Sequence, residues 1–396
     1  MSESDKRIAI IGAGVGGLSL SLALRERGME AQIYEKTHEL REVGAAVYLA
    51  ANASRFIERF GLGDAFAAVS WEPTALIYRD GRDGHVIARH DETELGAYGA
   101  PGYGIHRADL QEILAGAVGH DRIHLGKEIA SYAQEGSEVT IDFADGTQAV
   151  ADIVVGADGA RSLVRELMVG HDDKIYTGRS GFRGLVDAKD LPSLPDPTAI
   201  QFWIGPDGHL LHYPIGGNGD VINFLLVKRM AWEGDDWMVD AGPDEHLRLF
   251  EGWHPAVMEM ISAPTFDRRW ALNRRPPLSQ WYDGRVVLLG DAAHALVPHH
   301  GQGANVTVED AVVLARCLSK NDDIDAAIAS YQDQRLERTA RVQKASYVTA
   351  DVLHLPDGDE ATQRNAQLAS SEWIHGQLDW IHSYNADPDF DKVDIA

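Results

Sequence analysis

Four consecutive apolar residues, Ile8 to Ile11, run straight into a glycine-dense turn, Gly12-Ala-Gly-Val-Gly-Gly17, and then into apolar positions spaced for a helix from Leu18 to Arg27. A second short run, Ala31 to Glu35, completes one strand–helix–strand unit of a parallel sheet. Further along, the pattern predicts a helix from about Ala51 to Phe60, ending at Gly61, and a pair of strands around Leu76–Tyr78 and Val86–Ala88. A second helix is predicted from Arg107 to Val118. Residues 129–150 read as a hairpin, because Val139–Phe143 alternates and Asp145-Gly146 supplies a tight turn. The unbroken apolar run Ile153–Val155 returns to a buried parallel strand.

Between about 175 and 275 the texture changes to short strand-like runs, at Gly184–Asp187, Ile200–Ile204, His209–Tyr213 and Val221–Val227, with Gly216–Gly219 as a turn. Arg285–Leu289 is apolar again, and helical spacing follows from about Ala304 to Leu318 and from Asp323 to Lys344. The expected fold is α/β. A Rossmann-type dinucleotide-binding domain over 1–174, with an early β excursion near 70–105, is interrupted by a β-rich domain at 175–275 and resumed with C-terminal helices over 276–396. The last dozen residues, rich in Asp, are expected to be poorly tied down.

Composition narrows the function. With 36 Lys and Arg against 61 Asp and Glu the net charge is −25, a field that repels nucleic acid and anionic membranes. The single cysteine, Cys317, rules out an internal disulfide framework and sits in an apolar helical pattern, so it is expected to be core. No apolar stretch approaches the roughly 18 residues needed to span a bilayer, and the charged start lacks a leader pattern; a cytoplasmic enzyme, monomeric or homodimeric, is the expectation. No metal site is expected.

The glycine loop carries the first chemistry. Gly12 is placed for the tight turn, Gly14 for close approach of backbone to a pyrophosphate, and Gly17 for helix–strand packing, while the helix that follows aims its positive end at the phosphates. Glu35 closes the second strand 18 residues beyond Gly17, where an acid can hold a ribose diol. This makes a dinucleotide site, without saying which dinucleotide.

Two further stretches decide that: Val154-Val-Gly-Ala-Asp158-Gly159-Ala-Arg161-Ser162 and Gly284-Arg-Val-Val-Leu-Leu-Gly290-Asp291-Ala-Ala-His294. Together with the loop, in this order and at these separations, they resemble the flavoprotein aromatic hydroxylases, the group of p-hydroxybenzoate, salicylate, 3-hydroxybenzoate and 6-hydroxynicotinate hydroxylases. The spacing is most like the salicylate and 6-hydroxynicotinate members, and the resemblance covers nearly the whole chain. It implies FAD as cofactor, NAD(P)H as a transient co-substrate without a second glycine-rich loop, and O₂ captured as a flavin hydroperoxide that transfers one oxygen to a small, carboxylate-bearing phenolic or hydroxypyridine ring. Carried over residue by residue, it places Asp291 on the ribityl chain of FAD and Asp158 near both FAD and the nicotinamide. It places Arg107 on the flavin side of the site, Val47 and Ile129 as backbone contacts, and Lys36 beside Glu35. Pro298, Gly301, Gln302, Gly303, Ala304 and Asn305 would form the loop passing the isoalloxazine ring, with the helix start near Ala304 aimed at its N1–C2=O edge.

On the substrate side, His209 and Tyr213 lie four apart on a predicted strand and so share a face, matching a His and a Tyr at the same spacing in the 3-hydroxybenzoate and 6-hydroxynicotinate enzymes. His209 is the expected base for a ring hydroxyl, with His299 beside the flavin loop as its competitor. His300 and Tyr48 depart from the family pattern. Tyr48 stands where some relatives carry a substrate-facing His, which counts against a pyridine-specific reading. A flavin halogenase would show a Trp-x-Trp-x-Ile-Pro segment, absent here. An FAD-dependent reductase or dehydrogenase, or a non-catalytic flavin-binding protein, is the alternative that product analysis separates.

Overall fold

A computed structural model describes residues 6–40, 46–91, 98–264, 266 and 268–390. The first strand, Ile8–Ile11, is buried along its whole length because parallel strands flank it on both sides: Ala31–Glu35 on one and Ile153–Gly156 on the other. Val286–Leu288 and Ile123–Leu125 extend this sheet as further parallel strands, and the short strand Tyr282–Asp283 adds an antiparallel edge. The chain leaves the first strand to one side and returns on the other, so the sheet has a switch point at the C-terminal ends of Ile8–Ile11 and Ile153–Gly156. Such a point is where open α/β sheets bind ligands.

Residues 129–151 form three antiparallel strands rather than one hairpin, the extra turn falling at Gly136. The region read as a β-rich domain is an eight-stranded sheet. The early excursion belongs to it: Ala75–Asp80 pairs in parallel with Ile200–Gly205, and Val86–Asp91 forms the edge. One face of this sheet packs Phe182, Trp203, Leu210 and Phe224 under the helix Pro255–Ser262. The other face looks toward the dinucleotide domain.

Two expectations need correcting. The helix read as ending at Lys344 runs from Ile324 to Leu353. Its β-branched last turns have weak helix propensity, but Gln343 Nε2 donates to Ala295 O at 3.0 Å and Ser346 Oγ to Val297 O at 2.6 Å, so tertiary contact carries the helix on. The C-terminal segment is held at least through Phe390: Asp387, only 2% exposed, pairs with Arg27 and Arg59. Residues 391–396 of the stretch expected to be loose lie outside the described residues.

Cys317 is buried, as its helical setting implied. Among the described residues no helix is long and apolar enough to cross a membrane.

Candidate active site

The three glycines do three different steric jobs. Gly12 adopts φ +108°, and a Cβ there would meet Ala157 O at 2.5 Å, so the turn at the switch point admits no side chain. A Cβ on Gly17 would lie 2.0 Å from Gly12 O, which fixes the packing of the helix Val15–Arg25 against its own turn. A Cβ on Gly14 would meet nothing within 4 Å. That open space, at the N-terminus of a helix, is a cradle for a phosphate.

Glu35 hangs over this turn: Ala13 N donates to its Oε2 at 2.9 Å and Thr37 N to its Oε1 at 2.9 Å. The carboxylate is thus fixed at the edge of the cradle, while Lys36 beside it is exposed. At the far side, Asp291 is half-buried at the start of the short helix Asp291–His294, and its shielded Oδ1 has no hydrogen-bond partner among the described residues. Burial raises its pKa, and His294 and Arg107 oppose that rise. A carboxylate on the cavity lining, with one oxygen that takes no donor from the described residues, suits a polyol hydroxyl. The turn behind it is anchored by Asp310, which accepts from Gly290 N at 3.0 Å and lies 2.5 Å from His294 Nε2 and 2.6 Å from Arg335 Nε. Burial works against the charge on Asp310, but His294 and Arg335 outweigh it and its pKa falls.

Between cradle and large sheet lies a cavity of about 600 Å³. Of the residues expected there, Gly14, Val47, Arg107, Tyr213, Asp291, Pro298, His299, Gly301, Gln302, Gly303 and Ala304 line it. Gly12, Gly17, Glu35, Lys36, Ile129, Asp158, Asn305 and His209 do not. Ser162 Oγ and Val164 N donate to the Asp158 carboxylate at 2.5 and 3.1 Å, beside the helix Leu163–Val169 that Ser162 caps, and Gly159 lines the cavity. Asn305 is a staple. Its Oδ1 accepts from Ala50 N at 2.8 Å and its Nδ2 donates to the carbonyls of Tyr48 and Gly301, which ties the 298–303 turn to the strand Ala46–Leu49. Ile129 is core.

The sheet wall follows from strand register. Arg183, Leu225, Leu211, Phe202 and Tyr78 are cross-strand partners in one row, so all five present side chains to the same face. Tyr213, one pleat along, meets Tyr48 edge to face at 6.3 Å. Arg183 has no hydrogen bond or ion pair with any described residue; its side chain is accessible through the open cavity, yet the surrounding walls, then the like charge of Arg107, hold its pKa below the ordinary value. A cavity wall that carries an uncompensated guanidinium invites an anion.

The remaining wall is the helix Ser371–His382, whose Trp373, Ile374, Gln377, Leu378 and His382 close the cavity. The sequence reading named neither this helix nor Arg183. The spacing of Ile374, Leu378 and His382, each four apart, is the signal that would have found the helix face.

His209 and His212 are fully buried, and burial presses both pKa values to about 3. Below pH 6.5 the unfolded chain takes up protons at these positions that the folded chain refuses until about pH 3. Stability therefore falls as pH falls through that window, by up to about 1.4 kcal/mol per pH unit for each histidine. Urea melts at a series of pH values check this; a midpoint that stays level on acidification would contradict neutral burial.

A family model described as "FAD binding domain" matches residues 5–346. The chain belongs to that family of FAD-dependent aromatic-ring hydroxylases. It is 37% identical over 389 residues to 3-amino-4-hydroxybenzoate 2-monooxygenase of Streptomyces cremeus, covering 95% of this chain and 96% of that enzyme. It is 32% identical over 357 residues to 6-hydroxynicotinate 3-monooxygenase of Pseudomonas fluorescens, covering 88% and 91%. A variant of Klebsiella pneumoniae HpxO, solved in complex with FAD, superposes with a TM-score of 0.85 at 27% identity, covering 96% of this chain and 99% of that one. FAD is the cofactor. The open cradle at Gly14 and the unpartnered Asp291 oxygen fit its pyrophosphate and ribityl chain.

Proposed function

We propose that this family member hydroxylates a small phenolic or hydroxypyridine ring that carries a carboxylate, with NAD(P)H and O₂ as co-substrates. The carrying observation is Arg183: a guanidinium with no counter-charge among the described residues, set in a wall formed by Tyr48, Tyr213, Phe202 and Leu211. Apolar walls with one fixed polar anchor orient a flat ring, and a guanidinium fork matches a carboxylate. Each of the two relatives takes its name from a hydroxylated ring that bears a carboxylate.

Bound FAD supplies the redox chemistry, accepting hydride from NAD(P)H and activating O₂. The chain's own residues do the rest. Gly14 and the helix behind it receive the pyrophosphate, Asp291 takes the ribityl hydroxyls, and Arg183 anchors the ring's carboxylate. His299, neutral and part of the cavity lining, accepts the ring hydroxyl proton, and the helix Ser371–His382 keeps water out.

The test is a purified yellow protein assayed for NADH and NADPH oxidation with hydroxybenzoates, 3-amino-4-hydroxybenzoate and 6-hydroxynicotinate, with products read by mass. A gain of one oxygen in the ring supports the proposal; stimulated oxidation yielding hydrogen peroxide alone with every ring sinks it. Arg183→Met should raise KM for the productive carboxylate about 10–150-fold, the equivalent of one hydrogen bond to a charged group, and leave the decarboxylated phenol unaffected. Equal effects on both rings would remove Arg183 as the anchor.

A further inference from the structure

Three buried histidines from distant parts of the chain meet behind the cavity: His209 on the strand Gly208–Ile215, His299 in the 298–300 turn, and His354 just past the end of the helix Ile324–Leu353. Ring centroids are 4.9 Å apart for His209 and His354, 5.4 Å for His209 and His299, and 6.5 Å for His299 and His354. His209 Nδ1 lies 2.6 Å from His354 Nε2. On the other side of His354, Arg179 Nε donates to Nδ1 at 3.2 Å, and Arg179 is itself held by Asp351 and by Thr177 O.

This chain of contacts has only one consistent arrangement of protons. A guanidinium has five donors and no acceptor, so Nδ1 of His354 must be bare. A neutral His354 then carries its proton on Nε2 and donates it to His209 Nδ1, which must be bare in turn. A neutral His209 therefore carries its proton on Nε2, the nitrogen left without a partner. Both rings are kept neutral by burial. The further causes are cationic or histidyl: Arg179 at His209, and His209, His299, Arg179 and Arg229 at His354.

We propose that Arg179 and His354 are positioning residues that lock His209 as its Nε2–H tautomer, so that its ring is held in one orientation behind His299 and Phe202 and His209 is not the base. The row of contacts does not conduct protons from the cavity to Asp351, because the guanidinium in its middle does not give up a proton at working pH. It sets orientation and tautomer. His299, a lining residue of the cavity, is then the remaining candidate for the base: among the described residues neither of its shielded ring nitrogens has a hydrogen-bond partner. The lock is the same whichever ring is the substrate.

The test reads the tautomer directly. Imidazole ¹⁵N–¹H correlation spectra of the ¹⁵N-labelled, FAD-loaded enzyme, assigned with His209→Gln, should show His209 and His354 each with Nε2 protonated and Nδ1 bare. That pattern should hold from neutral pH down to about 5.5, against Arg179, Arg229, Asp351, His299 and His300 as the charged and titratable groups around it. A proton on Nδ1 of His209, or on both of its nitrogens, overturns the proposal. In His354→Gln the side-chain amide donates to His209 while its oxygen accepts from Arg179, so the signature should survive; in His354→Leu it should be lost to a mixture of tautomers. Arg179→Met should likewise lose it, and retention of the single tautomer there would remove Arg179 from the lock. Should either substitution compromise folding, the wild-type spectrum and the Gln variant still decide.

Discussion

Replacing His299 by alanine is expected to slow ring hydroxylation about 10²–10⁴-fold, the range over which a positioned proton acceptor acts, while reduction of bound FAD by NAD(P)H proceeds. The residue lines the cavity while its ring nitrogens are shielded, and burial, then the neighbouring His209 and Arg179, holds its pKa well below 6.5. In the free enzyme it is therefore already in its base form throughout the working pH range. Its proton affinity rises only when a developing ring oxyanion stands beside it, since an opposite charge favours the imidazolium. The sign of the pH dependence follows: kcat/KM should show no acid-side loss from His299 between about pH 8 and 6. Single-turnover product formation and a pH series with the wild type measure both. Hydroxylation by the alanine variant within a few-fold of wild type would remove His299 from the reaction.

The second large effect concerns stability. Arg335→Met is expected to cost about 3–5 kcal/mol, because it removes the cation from a buried cluster without removing the anions. Arg335 is fully buried and bonds Asp310 and Glu309 at 2.6 and 2.7 Å; burial opposes its charge, yet the two carboxylates raise its pKa above the ordinary value. Arg338 and Asn52 share Glu309, and His294 shares Asp310. The cluster ties the helices Gly303–Lys320 and Ile324–Leu353 to the Gly290-Asp291 turn, so the variant should also hold FAD less tightly. Denaturant unfolding with and without added FAD measures both. A loss below about 1 kcal/mol would mean that Arg338 and His294 carry the anions on their own.

Much of the cofactor side was legible because its constraints are local and steric. Gly12 and Gly17 sit where a single Cβ would collide with neighbouring backbone, and such positions are written directly as glycine. The substrate side is written in strand register instead. Arg183 reaches the cavity because Leu225, Leu211, Phe202 and Tyr78 align with it across four other strands, and no local pattern encodes that alignment. The same holds for His209 and Tyr213: the spacing correctly put them on one face, but only the fold shows that Tyr213 meets the cavity and His209 stops behind it. His354 was out of reach, since the helix that delivers it outruns its own propensity on tertiary contacts. At Asp158, a carboxylate that accepts from the first turn of a helix and one that binds a ligand look alike in sequence.

The helix Ser371–His382 belongs to neither sheet, yet it completes the cavity's outer wall. Tyr98 joins it through Asp379 at 2.7 Å, and Arg338 holds its last turn through the carbonyls of Trp380 and Ile381. On the proposed reading, part of the ring's enclosure thus comes from a piece of chain separate from the glycine cradle, joined to the 298–303 turn through His382 and Gln302 at 3.4 Å. Enlarging or shrinking the outer wall at Trp373 or Gln377 leaves the glycine cradle, Asp291 and the histidine trio where they are. The architecture is divisible in the way a lock with an exchangeable faceplate is, which gives protein engineers a defined place to retune which rings this enzyme admits.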